Sequence, residues 1–378
     1  LTTLPARALR SLFTRRVDFV CDLIPFRLEK VPLKKLINWW LLETSIHLKA
    51  TRPWGRPTHL TLEPTALCNL RCALCPVTKG MTRPKGHMDT DLFRRLIDEI
   101  GDYLLLIMFW DWGEPLFHPK AYEMIHYAHS RNIKVITSSN GHLLARGDNA
   151  DKLIKSGLDA LIVAVDGITQ ETYQRYRQDG NLELVLEGIR KVVEKKRILG
   201  SPTPLINFRF IVMRHNEHEI PQLKDFARSL GADALTLRTL NPVLNRGQNP
   251  DQDNIEMLPR QTRYRRFAYA ADDSNLPVRL KDNPCRSPWN NPAIHWDGTV
   301  CSCYFDYNGD HPMGDLKTTS FRSIWYGENF QRFRRAFRRN WEDMPLCGNC
   351  SYAFQGGDCG REIIRDPLFF DPSDVSTT

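Results

Sequence analysis

Apolar residues recur in two rhythms along this chain. Between Pro57 and Arg238 they form short strand-like blocks near residues 58–62, 104–109, 133–137, 160–165, 206–212 and 234–238. Between the blocks they return at helical spacing. Asp89 or Thr90 can cap a helix that puts Leu92, Phe93, Leu96, Ile97 and Ile100 on one face. Similar patterns lie near 119–130, 148–156, 181–198 and 217–230. Six strand–helix units in succession predict an α/β fold with parallel strands and right-handed crossovers. In such folds chemistry sits on the loops at the strands' C-terminal ends.

The rhythm breaks outside this region. Residues 1–56 read as helices interrupted by prolines, an N-terminal helical extension. Ala8–Phe13, Val17–Val20 and the stretch Leu33–Leu42 mix apolar and basic residues, the last with paired tryptophans. Two readings stand: a helical layer packed on the main domain, or a membrane-surface helix giving access to a lipid. Residues 241–284 read as a linker with one helix near 259–271. A small cysteine-rich domain over 285–366 and a loose tail over 367–378 complete the predicted division, with 57–240 as the main domain.

Composition narrows the class. At 378 residues, 42% hydrophobic and 25% charged, the chain suits a globular protein of two domains. No apolar run is long enough to cross a bilayer. The chain begins without Met, so its start reads as trimmed. The net charge of +8 is uneven, because residues 1–58 hold eleven Lys/Arg and four Asp/Glu. No nucleic-acid motif accompanies it, and no nucleic-acid partner is expected. Ten cysteines would suggest disulfides in a secreted protein. Here most fall at metal-ligand spacings, which points to a reducing cytoplasm. Cys21 stands alone and reads as a small buried apolar residue.

The chemistry begins just after the first strand. Cys68, Cys72 and Cys75 stand at C-x3-C-x2-C spacing. Three thiols make a poor disulfide framework, because one is always left over. They suit an iron–sulfur cluster, since thiolates bind iron directly. Three ligands on a four-iron cubane leave one iron open to a small molecule that takes an electron. A zinc knuckle is the competing reading.

Glu63-Pro64-Thr65 followed by Cys68-Asn69-Leu70-Arg71-Cys72 and Cys75-Pro76 resembles the radical S-adenosylmethionine (SAM) superfamily, in members that carry a SPASM or twitch-type auxiliary-cluster domain. The likeness runs from about Pro57 to about Cys359. It implies an open, partial (β/α)6 TIM-like barrel and a [4Fe-4S] cluster that chelates SAM. It also implies a low-potential reducing partner such as flavodoxin or ferredoxin. Trp112-Gly113-Glu114-Pro115, after the second strand, resembles the family's GGEP loop, whose carbonyls and glutamate receive the SAM ammonium. Gly113 would let backbone approach the ligand. Ser138-Ser139-Asn140-Gly141 resembles the T-N-G loop, so Ser138 or Asn140 is expected at the ribose. A plain Asn-Gly turn is the alternative. Asp166-Gly167 with Tyr173 and Arg177 resembles the auxiliary-cluster members' signature, in which the arginine binds the SAM carboxylate. Ala164 replaces the expected serine, and Leu74 replaces a common aromatic residue beside the cofactor. Arg209 and Arg238, on the fifth and sixth strands, are candidates to face a ligand inside the barrel or to sit in ion pairs.

Four further cysteines form a second set. Cys285 and Cys303 are followed by Cys347 and Cys350 in a C-x2-C pair, and Trp296–Val300 reads as a tight hairpin. Four thiolates close a tetrahedral or cubane site, zinc or cluster. The family's G-x4-C spacing from Gly298 selects Cys303 over Cys301. The resemblance implies one auxiliary [4Fe-4S] cluster, with Cys359 a spare ligand or free. The basic run Arg332–Arg339 reads as a solvent-facing helix.

These features predict a SAM-dependent radical enzyme that oxidises a substrate through the auxiliary cluster. A sugar, aminocyclitol or other small molecule is the favoured substrate class. A peptide or a lipid is the alternative, and a zinc-binding interaction protein is the non-enzyme reading. No residue stands out as the base.

Overall fold

The computed structural model describes residues 11–241, 256–268, 270 and 277–356. Ala8–Arg10, Cys359, the tail and part of the predicted 259–271 helix lie outside them.

All six strand blocks form strands and pair in sequence order. They are β3 (His59–Leu62), β4 (Leu106–Met108), β5 (Lys134–Ser139), β6 (Ala160–Ala164), β7 (Leu205–Val212) and β8 (Ala234–Thr239). Each is parallel to the next. The helices between them are α2 (Thr90–Ile100), α3 (Ala121–Ser130), α4 (Asn149–Lys155), α5 (Gln170–Tyr176), α6 (Leu182–Leu199) and α7 (Ile220–Ser229). Asp89 caps α2 by accepting from the N–H groups of Asp91 and Leu92. In the sheet order β8 and β3 are not neighbours, so the barrel is open.

Strand residues alternate between two cores, as a period of two requires. Ile107, Val135, Leu161, Val163, Phe208 and Phe210 pack in the large core that includes the helices' apolar faces. Leu106, Ile136, Ala160 and Ile162 face a second core filled from the N-terminal region. That filling corrects the helical expectation for residues 17–28. They form a β-hairpin, β1 (Val17–Cys21) with β2 (Ile24–Leu28), and only α1 (Leu33–His47) is the predicted long helix. Val17, Phe19, Ile24, Phe26 and Leu28 are buried against the strands. The hairpin turns on Asp22 and Leu23, both left-handed at φ 52 and 68. The Asp22 carboxylate meets Arg209 Nη1 at 2.5 Å and also the Arg238 guanidinium. Of the two readings for these arginines, an ion pair with the hairpin tip is realised.

The cysteine-rich segment extends the same sheet. β9 (Ala293–Ile294) pairs parallel to β3, and β10 (Thr299–Cys301) and β11 (Pro312–Asp315) follow antiparallel. The predicted hairpin is therefore present, with Gly298 at φ +91 in its turn. Short helices Ser287–Asn290 and Phe321–Trp325 flank it, and α8 (Glu328–Asn340) closes the unit. Arg332, Arg335, Arg338 and Arg339 of α8 are exposed, but Arg334 is fully buried, against the solvent-facing expectation. Its guanidinium lies over Trp325 at 4.2 Å and donates to the carbonyls of Pro288, Thr51 and Trp325. Burial among these rings pushes it down to about 9. Between 259 and 268, where a helix was predicted, the structure has a 3-10 turn, Thr262–Tyr264. No helix among the described residues is long and apolar enough to cross a membrane.

Candidate functional site

The Cys68–Cys75 loop leaves the C-terminal end of β3 and is fixed by its neighbours' backbone. Arg71 N–H donates to Gln178 O at 3.2 Å and Ala73 N–H to Tyr176 O at 3.0 Å. Leu70, Cys72 and Leu74 are buried beside Tyr176, Met213, Leu240 and Leu258. Leu74 is thus part of an apolar wall behind the thiols. Leu70 N–H points at Cys68 Sγ, 3.4 Å away. Burial pushes the Cys68 thiol up to about 12 and the Cys75 thiol up to about 11, and the neighbouring thiols add to both.

Three polar groups converge on this loop. Arg177 Nη1 lies 3.5 Å from Cys72 Sγ, and its Nε donates to Asp166 Oδ2 at 2.6 Å. Asp166 is fully buried and also accepts from Ile211 N–H at 2.7 Å, so the guanidinium is held from two strands. Asn140 Nδ2 donates to Asn69 Oδ1 at 2.8 Å and lies 4.0 Å from Cys68 Sγ. Ser138, one turn of the strand earlier, is half-buried.

Glu114 is buried and takes three donors from the protein itself. They are Ser139 Oγ at 2.8 Å, Asn140 N–H at 2.8 Å and Leu116 N–H at 3.2 Å. A carboxylate offers about four lone-pair positions, so little of it is left for a ligand. Its evident role is to lock the GEP loop to the end of β5. Burial raises its pKa against these hydrogen bonds. Gly113 is needed for protein packing: at φ +110, an added Cβ would stand 2.3 Å from Thr65 O. The close approach is to the backbone entering the cysteine loop. Arg209, a candidate to face a ligand inside the barrel or to sit in an ion pair, lies there in the pair with Asp22.

Cys285, Cys303, Cys347 and Cys350, the second thiol set, lie near enough for their charges to act on one another. Burial raises all four thiols: Cys285, Cys303 and Cys347, and Cys350 to about 12. The charges of Cys285, Cys347 and Cys350 all act on Cys303, and Phe305 N–H points at its Sγ at 3.5 Å. Cys301 is buried two residues away, where the carboxylates of Asp306 and Asp111 act on it. Trp112 Nε1 donates to Tyr304 O at 3.0 Å, bridging the GEP loop to the residue after Cys303.

Between the two thiol sets lies a buried polar group that sequence reasoning missed. Glu63 pairs with Arg83 at 2.5 Å and accepts from Trp296 N–H. Asp111 Oδ2 is buried 3.9 Å from His295 Nε2 and has no hydrogen-bond partner among the described residues. Burial, and then the charge of Glu63, holds Asp111 well above the usual carboxylate range. Asp111 adjoins a motif that was recognised, but burial is not written in the motif, and His295 is 184 positions away in the chain.

Comparison with known proteins fits this geometry. A sequence model of the Radical SAM superfamily matches residues 62–227, and one of an iron–sulfur cluster-binding domain, SPASM, matches residues 285–351. The chain belongs to the radical SAM superfamily. As a radical SAM enzyme with a SPASM domain it uses a [4Fe-4S] cluster, SAM and auxiliary iron–sulfur chemistry. It is 28% identical over 320 residues to the tungsten-containing aldehyde ferredoxin oxidoreductase cofactor-modifying protein of Pyrococcus furiosus, covering 78% of this chain and 87% of that protein. An AdoMet-dependent heme synthase of Methanosarcina barkeri is 30% identical over 197 residues, 52% of this chain and 54% of that one. The fold is shared with Streptococcus suis SuiB bound to precursor peptide SuiA, at TM-score 0.58 and 12% identity over 83% of this chain and 75% of that one. It is shared also with anSMEcpe with bound AdoMet, at TM-score 0.52 and 14% identity over 80% and 94%.

The residues present suit these groups. Thiols dominate both donor sets, and N–H groups point at their sulfurs, as clusters favour. Among the described residues no three His, Cys, Asp or Glu side chains close on one point.

Proposed function

We propose that this radical SAM enzyme is an oxidoreductase acting on a small molecule, with one auxiliary [4Fe-4S] cluster as electron acceptor. The observation that carries the reading is the second group of buried thiols, joined to the barrel by β9 and by Trp112. We assign Cys68, Cys72 and Cys75 to the SAM-binding cluster, and Cys285, Cys303, Cys347 and Cys350 to the auxiliary one. When bound, these groups supply one-electron cleavage of SAM to a 5′-deoxyadenosyl radical and a sink for the electron an oxidised substrate gives up.

The chain's own work is to hold and orient. Arg177, fixed by Asp166, presents a guanidinium beside Cys72 where a SAM carboxylate can pair with it. Asn140 and Ser138 stand at the end of β5 for the ribose hydroxyls. Glu114 keeps that loop in place through Ser139 and the Asn140 N–H. Leu70, Leu74 and Tyr176 exclude water behind the thiols.

Two observations favour a small molecule. The relatives at 28–30% identity are named for heme synthesis and cofactor modification. The hairpin of residues 17–28 is packed into the barrel, as part of the second core. A lipid reading loses support from α1. Its Lys35 bonds Leu104 O and Asn132 O, just ahead of β4 and β5, which puts α1 at the end away from the cysteine loop.

The test is anaerobic reconstitution followed by SAM and dithionite with pools of candidate small molecules. The expected result is about eight irons per chain, 5′-deoxyadenosine, and a product lacking two hydrogens. Absence of iron, or SAM left intact, would sink the reading.

A further inference from the structure

One wall away from the cysteine loop is a cleft of about 540 Å³ lined by Arg175, Arg214, His215, Glu256, Met257 and Arg260. Among the described residues its lining holds three arginines and one carboxylate, with Glu217 beside it on the Arg260 and Gln261 N–H groups. The arginines come from three stretches: the end of α5, the loop after β7, and residues 256–260. Arg214 N–H donates to Met257 O at 2.9 Å and its Nε to Leu258 O at 3.1 Å, which ties two of these stretches together. Arg175 pairs with Glu171 at 3.8 Å, an exposed contact of little strength. His215 Nε2 is buried without a hydrogen-bond partner among the described residues.

The position matters as much as the charge. Arg175 precedes Tyr176 and Arg177, the residues that contact the cysteine loop directly. Arg214 follows Met213, and Met257 precedes Leu258. Tyr176, Met213 and Leu258 are the side chains that pack on Leu70, Cys72 and Leu74. The residues that line the cleft are thus the chain neighbours of those that pack on the cysteine loop, and Met257 belongs to both groups. A partner seated there need not displace what binds at Ser138 and Asn140.

We propose that this cleft is the docking face for an acidic one-electron carrier of the flavodoxin or ferredoxin kind. The proposal rests on the SAM-cleaving reading above, which consumes one electron from outside at each cleavage. The carrier's reduced cofactor loses one electron and the cluster behind Tyr176 gains it. No proton or group moves with it. A cationic concave surface raises the encounter rate with an acidic partner, and that gain falls with salt.

The experiment uses the reconstituted holoenzyme and two reductants, dithionite and NADPH-reduced flavodoxin with its reductase. 5′-Deoxyadenosine release is read in both arms. Combined Arg175→Glu and Arg260→Glu is expected to slow the flavodoxin arm by about tenfold or more and leave the dithionite arm unchanged. Arg175→Lys with Arg260→Lys should keep the wild-type rate, and added salt should slow wild type but not the charge-reversed protein. Equal loss in both arms, no loss in the flavodoxin arm, or a wild type that dithionite reduces and flavodoxin does not, overturns the docking proposal. Failure of wild type with dithionite overturns the SAM-cleaving reading itself and this proposal with it.

Discussion

At the rim of the barrel, position is set by charge and hydrogen bonds. Asp166 holds Arg177 on Cys72, Glu114 holds the Ser139–Asn140 loop, and Gly113 tucks under Thr65. In the barrel's interior, position is set by apolar fill. The hairpin puts Phe19 against Phe26 at 5.5 Å and against the edge of His59 at 5.2 Å, and burial there disfavours the charged form of bases. Burial pushes His59 down to about 4, against a hydrogen bond from Asn290, and Lys35 down to about 8. The rim tolerates polarity where its groups are paired, Asp166 with Arg177 and Glu114 with Ser139 and Asn140. The interior excludes charge except at Asp22, which meets two guanidiniums. Loss at the rim should therefore cost chemistry, and loss in the interior should cost stability.

The largest expected effect is at the rim. Cys72→Ala should remove about four irons per chain and all 5′-deoxyadenosine formation while the fold survives. Cys347→Ala should remove a similar amount of iron but keep SAM cleavage and lose only product. Iron analysis with chromatography of both products separates the two; equal loss of SAM cleavage in both would collapse the division of labour. Next comes the interior. Phe19→Ala should cost about 3–5 kcal/mol in urea unfolding, with activity per folded molecule intact. A change under about 1 kcal/mol would mean that the hairpin is a dispensable ornament on the barrel.

The smallest effect is a pH dependence. His59 is a base with a folded pKa near 4, below its unfolded value of about 6.5. Between these values the unfolded chain binds more protons, so stability falls as pH drops from about 6.5 to about 4 and is unaffected by this group above that window. His59→Asn should flatten that slope in denaturation at a series of pH values. An unchanged slope would show that other groups control acid sensitivity.

Much of this was legible in the chain. The six strands were readable because apolar blocks alternate with capped amphipathic helices, and both thiol sets were readable because ligand spacing survives any packing. The hairpin at 17–28 was not read, although Val17 with Phe19, and Ile24 with Phe26 and Leu28, alternate at period two. Its turn is Asp-Leu rather than the Asn-Gly that left-handed turns favour, so the usual signal was missing. Arg209's partner lies 187 positions away, and no local pattern can announce such a pairing. Arg334 defeated a sound rule: a basic run is usually a solvated face, but three carbonyls and two rings accept this one guanidinium.

β9 is two residues long, yet it grafts the auxiliary unit onto the first barrel strand by main-chain hydrogen bonds. Side chains on either flank can drift without altering that seam. The separation of the two thiol sets is thus inherited from backbone geometry, which leaves the side chains around them free to diversify.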